Sequence, residues 1–229
     1  MSPEIHFVGR EAEVEVFRQI LAKPYGSVRI PLIRGDGGMG KTQLVKRMLE
    51  EAKISGRLAP DGPLDLFSTG LRHIDGIQLE IIETVEKLTG LRDAQSPFAE
   101  FSEENRNTSE QFNKCIRAFC EKNPLVLAFD TFENLDTVAS NWLFETGNEG
   151  LQVPGLICIV AGRPEKDNIE KYLADPLVKK LEISGLNLLE AEEFYQEISK
   201  EFRKEESLTD PLEDFLAVTG KRKDDESLD

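Results

Sequence analysis

The octapeptide Gly35-Asp36-Gly37-Gly38-Met39-Gly40-Lys41-Thr42 constrains this chain more than any other stretch of it. It fits the pattern G-x-x-x-x-G-K-[ST] without a mismatch. The run VRIPLIR precedes it and TQLVKRMLEEAK follows, so the loop joins an apolar strand to a helical pattern. Glycine is needed there because a Cβ would obstruct the turn that points successive N–H groups at phosphate oxygens. The helix N-terminus adds its dipole and free N–H groups. Lys41 is expected to reach the β- and γ-phosphates of a nucleotide and the Thr42 hydroxyl to ligate Mg²⁺. The expected nucleotide contacts run from Gly35 through Asp36, Gly37, Gly38, Met39, Gly40, Lys41 and Thr42 to Gln43.

Short apolar runs alternate with longer helical patterns, which predicts an α/β fold with a mostly parallel sheet covered by helices. Strands are expected at 28–34, 64–69, 125–130 and 156–162, with a weaker fifth near 180–183. Helical spacing runs through 11–21, 41–53, 74–88, 109–121 and 189–202. Pro31 is awkward in the first strand because it removes a ladder donor. The segment 92–110, with five acids and two arginines, reads as a mobile loop. From about residue 185 the chain becomes helical and strongly charged, which predicts a small appendage over 185–220 after a main domain at 1–184. The end, 221–229, reads as a disordered polar tail.

Two strand ends carry chemistry. The buried-type run LVLAFD ends in Asp130, suited to hold Mg²⁺, and Glu133 lies three residues on, suited to polarise a water. The run LICIVAG ends at Arg163. Ligands of open α/β sheets bind at the carboxyl ends of strands, so Arg163 is expected to meet a γ-phosphate.

Composition sets the remaining bounds. The net charge of −15 argues against coating nucleic acid or an anionic membrane surface, since both depend on Lys and Arg. The three cysteines are sparse and odd in number, and no apolar leader or spanning run occurs, so a reduced, cytoplasmic setting is expected. Histidines and cysteines lack zinc-ligand spacing.

The ordered set of motifs resembles the STAND class, signal-transduction ATPases related to the AAA+ ATPases. Phe7-Val8-Gly9-Arg10-Glu11 resembles their N-terminal "hhGRE" motif, LVLAFDTFE their acidic strand in its DxxE form, and LICIVAGR their sensor strand. ISGLNLLEAEEF, from Ile183, resembles the start of their helical lid. The resemblance implies a P-loop NTPase sheet of order 5-1-4-3-2 plus a small C-terminal helical lid, with Val8, Gly9 and Arg10 at the adenine end. It also implies ATP/ADP and Mg²⁺ as ligands, slow hydrolysis used as a switch, and self-association in the ATP state. Thr219-Gly220 is followed by Lys221-Arg222-Lys223, where the class has Gly-x-Pro. Members continue into further domains, so the sequence is expected to be either a piece of a longer protein or a short free-standing form. Two other readings stay open at this stage. One is a P-loop kinase or other metabolic phosphotransferase; the second is a nucleotide-binding scaffold without turnover.

Overall fold

Alternating apolar strands and amphipathic helices bury most surface when the strands pair side by side and the helices cover both faces. The computed structural model realises this arrangement, and it describes residues 9–23, 29–99, 101, 109–146, 150–163, 172–186 and 188–202. Val8, the tail 221–229 and the 203–220 part of the expected lid lie outside the described residues.

The elements are α1 (Glu11–Ala22), β1 (Ile30–Arg34), α2 (Lys41–Ile54), β2 (Leu64–Asp65), α3 (Ile74–Thr89), α4 (Ser109–Cys120), β3 (Leu125–Asp130), α5 (Thr137–Phe144), β4 (Leu156–Gly162), β5 (Val178–Glu182) and α6 (Leu188–Phe202). The five strands form one sheet in the order β2-β3-β4-β1-β5, every pair parallel. This is the expected order read from the other edge. β1, β3 and β4 are buried along their whole length, as helix-covered central strands must be, whereas the edge strand β5 buries only Leu181. Pro31 is accommodated inside β1, where it pairs in register with Lys179, and the β1–β4 pairing starts one residue later at Leu32.

Three expectations need correction. The second strand is two residues long, not six, because Ser68 and the short turn at Thr69–Leu71 fold the chain away after Asp65. The helix α5 was not expected; Asp136 starts it by accepting the Ala139 N–H at 2.7 Å. The segment 92–110 is not wholly a mobile loop. A short 3₁₀ turn at Asp93–Gln95 opens it, Phe98 and Phe101 are buried, and both rings pack on Phe112 of α4.

All three cysteines are reduced and buried. Burial pushes the Cys158 thiol up to about 12 and raises Cys120 further still, which leaves both as unreactive core side chains.

Helix α1 is tied to α2 by charge. The Glu51 carboxylate, 7% exposed, takes a two-pronged bond from Arg18 at 2.9 Å and a contact from Arg47 at 2.8 Å. The Arg18 hydrogen bond holds its pKa below the ordinary glutamate value, burial opposes that, and the charges of Arg18 and Arg47 add to it. A depressed carboxylate contributes stability that is complete above its unfolded pKa and is lost as pH falls through the folded value. Glu51→Ala should therefore cost about 1–3 kcal/mol at pH 7, less than for a fully buried pair because both arginines reach water. The cost should shrink below about pH 4 as the unfolded glutamate protonates as well. Urea unfolding of the variant checks this, and a midpoint unchanged at pH 7 would refute it.

The chain divides into two compact units. One holds residues 12–182, and the other combines residues 1–11 with 183–229. Within the second unit the Arg10 guanidinium donates to the Ser184 carbonyl, and the Arg10 N–H donates to Glu190 Oε1 at 3.2 Å.

Candidate functional site

The strand order decides which loops meet. β1, β4 and β3 are consecutive neighbours, so the segments leaving their carboxyl ends converge at one sheet edge although they lie far apart in sequence. These segments carry Gly35–Thr42, Arg163, and Asp130 with Glu133.

The glycine-rich loop leaves β1 with Gly35 N–H directed at the Gly162 carbonyl, 3.4 Å away. Gly40 has φ 80° at the start of α2, a left-handed conformation that an ordinary side chain resists. A Cβ added at Gly38 or Gly40 would meet nothing within 4 Å, so the loop borders open space. Lys41 Nζ folds back to donate to the carbonyls of Gly35 and Asp36, each at 2.7 Å. Met39 is a half-buried residue within the loop, and Gln43 is exposed in the first turn of α2.

The Thr42 hydroxyl donates to Asp130 Oδ2 at 2.5 Å, joining the first turn of α2 to the end of β3. Asp130 is 6% exposed, and its other oxygen accepts the Thr131 N–H at 2.8 Å. Both contacts hold the Asp130 carboxyl in place. The two groups predicted to share a cation are thus adjacent.

Glu133 sits in a 3₁₀ turn, Phe132–Asn134, that follows β3. The turn is anchored by Phe132, whose buried ring packs edge-on against Phe144 of α5 at 5.4 Å; Phe144 in turn stacks on Tyr172. Glu133 Oε2 accepts the Arg163 N–H at 3.1 Å, and Oε1 lies 3.6 Å from the Arg163 Nε. Gly162 makes this approach possible, since a Cβ there would fall 2.7 Å from Glu133 Oε2. The far end of the Arg163 guanidinium lies against the glycine-rich loop, 3.4 Å from where a Gly37 Cβ would stand.

Two pairs of these residues are therefore in direct contact, Thr42 with Asp130 and Glu133 with Arg163, while Lys41 turns onto the carbonyls of its own loop. Gly9 and Arg10 belong to the other compact unit, where Arg10 meets Ser184 and Glu190 as described and a Cβ on Gly9 would lie 3.0 Å from the Glu190 carboxyl. Sequence reasoning missed Asp65 at the end of β2, which accepts the Thr131 hydroxyl at 2.8 Å. The signal was available: Asp65 is a polar residue at the carboxyl end of a strand beside Asp130. Among the described residues, no group of three or more His, Cys, Asp or Glu side chains is arranged to hold a metal by itself. No helix among them is long and apolar enough to cross a membrane.

Residues 6–158, about two-thirds of the chain, match a family model described as an AAA ATPase domain. Among solved structures, the fold is similar to that of the ORC2 protein of Aeropyrum pernix in its ADP form, with a TM-score of 0.51 and 16% identity. That match covers 86% of this chain and 54% of the other, so the chain spans about half the length of that relative. A search of curated proteins by sequence finds no match.

Proposed function

The chain belongs to the AAA ATPase domain family, and from that premise we propose that it works as a nucleotide switch of the STAND type. In this reading it binds Mg·ATP, hydrolyses it slowly, and signals through whichever of ATP or ADP it holds. The observation that carries the reading is that the Thr42–Asp130 and Glu133–Arg163 contacts and the glycine-rich loop bearing Lys41 meet at one sheet edge, with Arg163 lying against Gly37.

Each group has a role that its contacts suit. The neutral carbonyls that hold Lys41 are weaker acceptors than phosphate, so the ammonium exchanges them for the β- and γ-oxygens of a nucleotide. Thr42 Oγ1 and Asp130 Oδ2 are hard oxygen donors side by side, a donor set that fits Mg²⁺. When bound, that ion neutralises charge on the β- and γ-phosphates. Glu133 is oriented by the Arg163 N–H on Oε2, which leaves Oε1 to take the proton of the attacking water. The Arg163 guanidinium, beside Gly37, takes up γ-phosphate charge and so distinguishes ATP from ADP. Arg10 fits a coupling role, since it ties the N-terminal motif to Ser184 and Glu190 at the start of the helical segment. Self-association belongs to the ATP-bound state in this reading.

The test is the nucleotide released from the purified, heat-denatured protein, measured beside a multiple-turnover phosphate assay. The expected result is retained adenine nucleotide with turnover well below the roughly 10 s⁻¹ typical of metabolic enzymes. Fast steady-state hydrolysis by a protein that retains no nucleotide would overturn the switch.

A further inference from the structure

We infer that Asp65 is a positioning residue for hydrolysis: it holds Thr131 in the left-handed conformation from which the turn carrying Glu133 starts. The inference rests on Glu133 being the group that activates water.

Thr131 is the pivot between the two acids of the site. It has φ 58° and ψ 41°, although its branched Cβ disfavours that region. Strain of this kind persists only where surrounding contacts enforce it, and it concentrates at functional sites. Two groups compete for the Thr131 hydroxyl proton: Asp65 Oδ1 at 2.8 Å and the Asp130 carbonyl at 2.7 Å. The carbonyl already accepts the Leu66 N–H at 3.1 Å, and an ionised carboxylate is the stronger acceptor. Asp65 is itself held, because its Oδ1 accepts the Phe67 N–H at 3.0 Å and its backbone is in register with Asp130.

Downstream, the Thr131 carbonyl accepts the Asn134 N–H at 3.0 Å and closes the turn in which Glu133 is the central residue. Phe132 fixes one side of that turn in the aromatic cluster. Thr131 fixes its start. Asp65 is an exposed side chain with no share in the core, so its contribution lies in this contact.

The experiment compares Asp65→Ala, Asp65→Asn, Thr131→Gly and the Asp65→Ala/Thr131→Gly pair in the full chain. Asp65→Ala should lower single-turnover hydrolysis about 10- to 100-fold, as small misplacements of a catalytic group do, with Mg·ATP affinity kept within about twofold. Asp65→Asn, whose amide oxygen still accepts the hydroxyl, should recover most of the rate. Glycine adopts positive φ unaided, so in the Thr131→Gly background the Asp65→Ala change should alter the rate by less than about twofold. Without nucleotide, amide exchange at Asn134 and Leu135 should quicken at least about tenfold in Asp65→Ala and stay slow in Asp65→Asn. Wild-type rate and wild-type exchange in Asp65→Ala would overturn the inference, as would an equal loss in both backgrounds. Glu133→Gln is run alongside. If it is inert while Asp65→Ala is unaffected, only the role of Asp65 falls; if it turns over normally, the Glu133 assignment falls and takes this inference with it.

Discussion

Lys41→Ala is expected to abolish tight Mg·nucleotide binding while the chain stays folded. The Lys41 ammonium donates to two carbonyls, at Gly35 and Asp36. Both lie in a loop bordering open space, where water replaces the lost donor at little cost. The nucleotide-bound form is different. In the proposed complex the same ammonium faces phosphate oxygens, and charge-assisted bonds contribute about 1.5–3 kcal/mol each. Losing one or two such bonds weakens binding on the order of 10- to 10⁴-fold, at about 1.4 kcal/mol per factor of ten. Titration calorimetry with Mg·ATP, beside circular dichroism on the same sample, separates binding from folding. Wild-type affinity in a folded Lys41→Ala variant would refute the phosphate-loop assignment.

Glu133→Gln should keep nucleotide and lose turnover. The amide oxygen can still accept the Arg163 N–H that now reaches Oε2, so the side chain keeps its place. What it loses is the ability to take a proton from water, and a positioned base typically contributes on the order of 10²–10⁴ in rate. The substitution also removes the charge facing the Arg163 guanidinium at 3.6 Å. That pair is partly exposed and worth little by itself, so the effect should appear in the chemical step. Single-turnover hydrolysis measured with the protein in excess reads that step directly. An unchanged rate constant would transfer the base to another acid.

The local pattern of residues was sufficient for much of this molecule. The run of glycines ending in Gly40-Lys41-Thr42, between an apolar strand and a helix, has few other uses, because its requirements are met within one short segment. The strands 125–130 and 156–162 match the observed β3 and β4 residue for residue, since continuous apolar runs bounded by polar residues leave little choice of ends. Asp130 and Arg163 were legible as strand-end residues for the same reason. Helix α5 was harder to read. Its eight residues mix Trp142, Leu143 and Phe144 with small polar residues, and the one available signal was the Asp136 cap. The second strand misled because LDLFST alternates like a strand, while the turn after Asp65 is imposed by contacts with β3.

What sequence alone determined is therefore each group's kind and its place on its own element: a glycine-rich loop opening α2, an acid closing β3, an arginine closing β4. Which of these groups touch was decided by tertiary structure. The order β2-β3-β4-β1-β5 puts β4 between β1 and β3, and from that follow the Glu133–Arg163 contact and the lie of Arg163 against Gly37. The aromatic cluster of Phe132, Phe144 and Tyr172 and the Asp65–Thr131 bond, at either side of the turn bearing Glu133, were equally invisible in the sequence. The physical reason is range. Helix periodicity, capping and loop chemistry act within a few residues, whereas the Glu133–Arg163 and Asp65–Thr131 contacts join positions 30 and 66 residues apart and exist only once the parallel crossovers have placed the strands side by side.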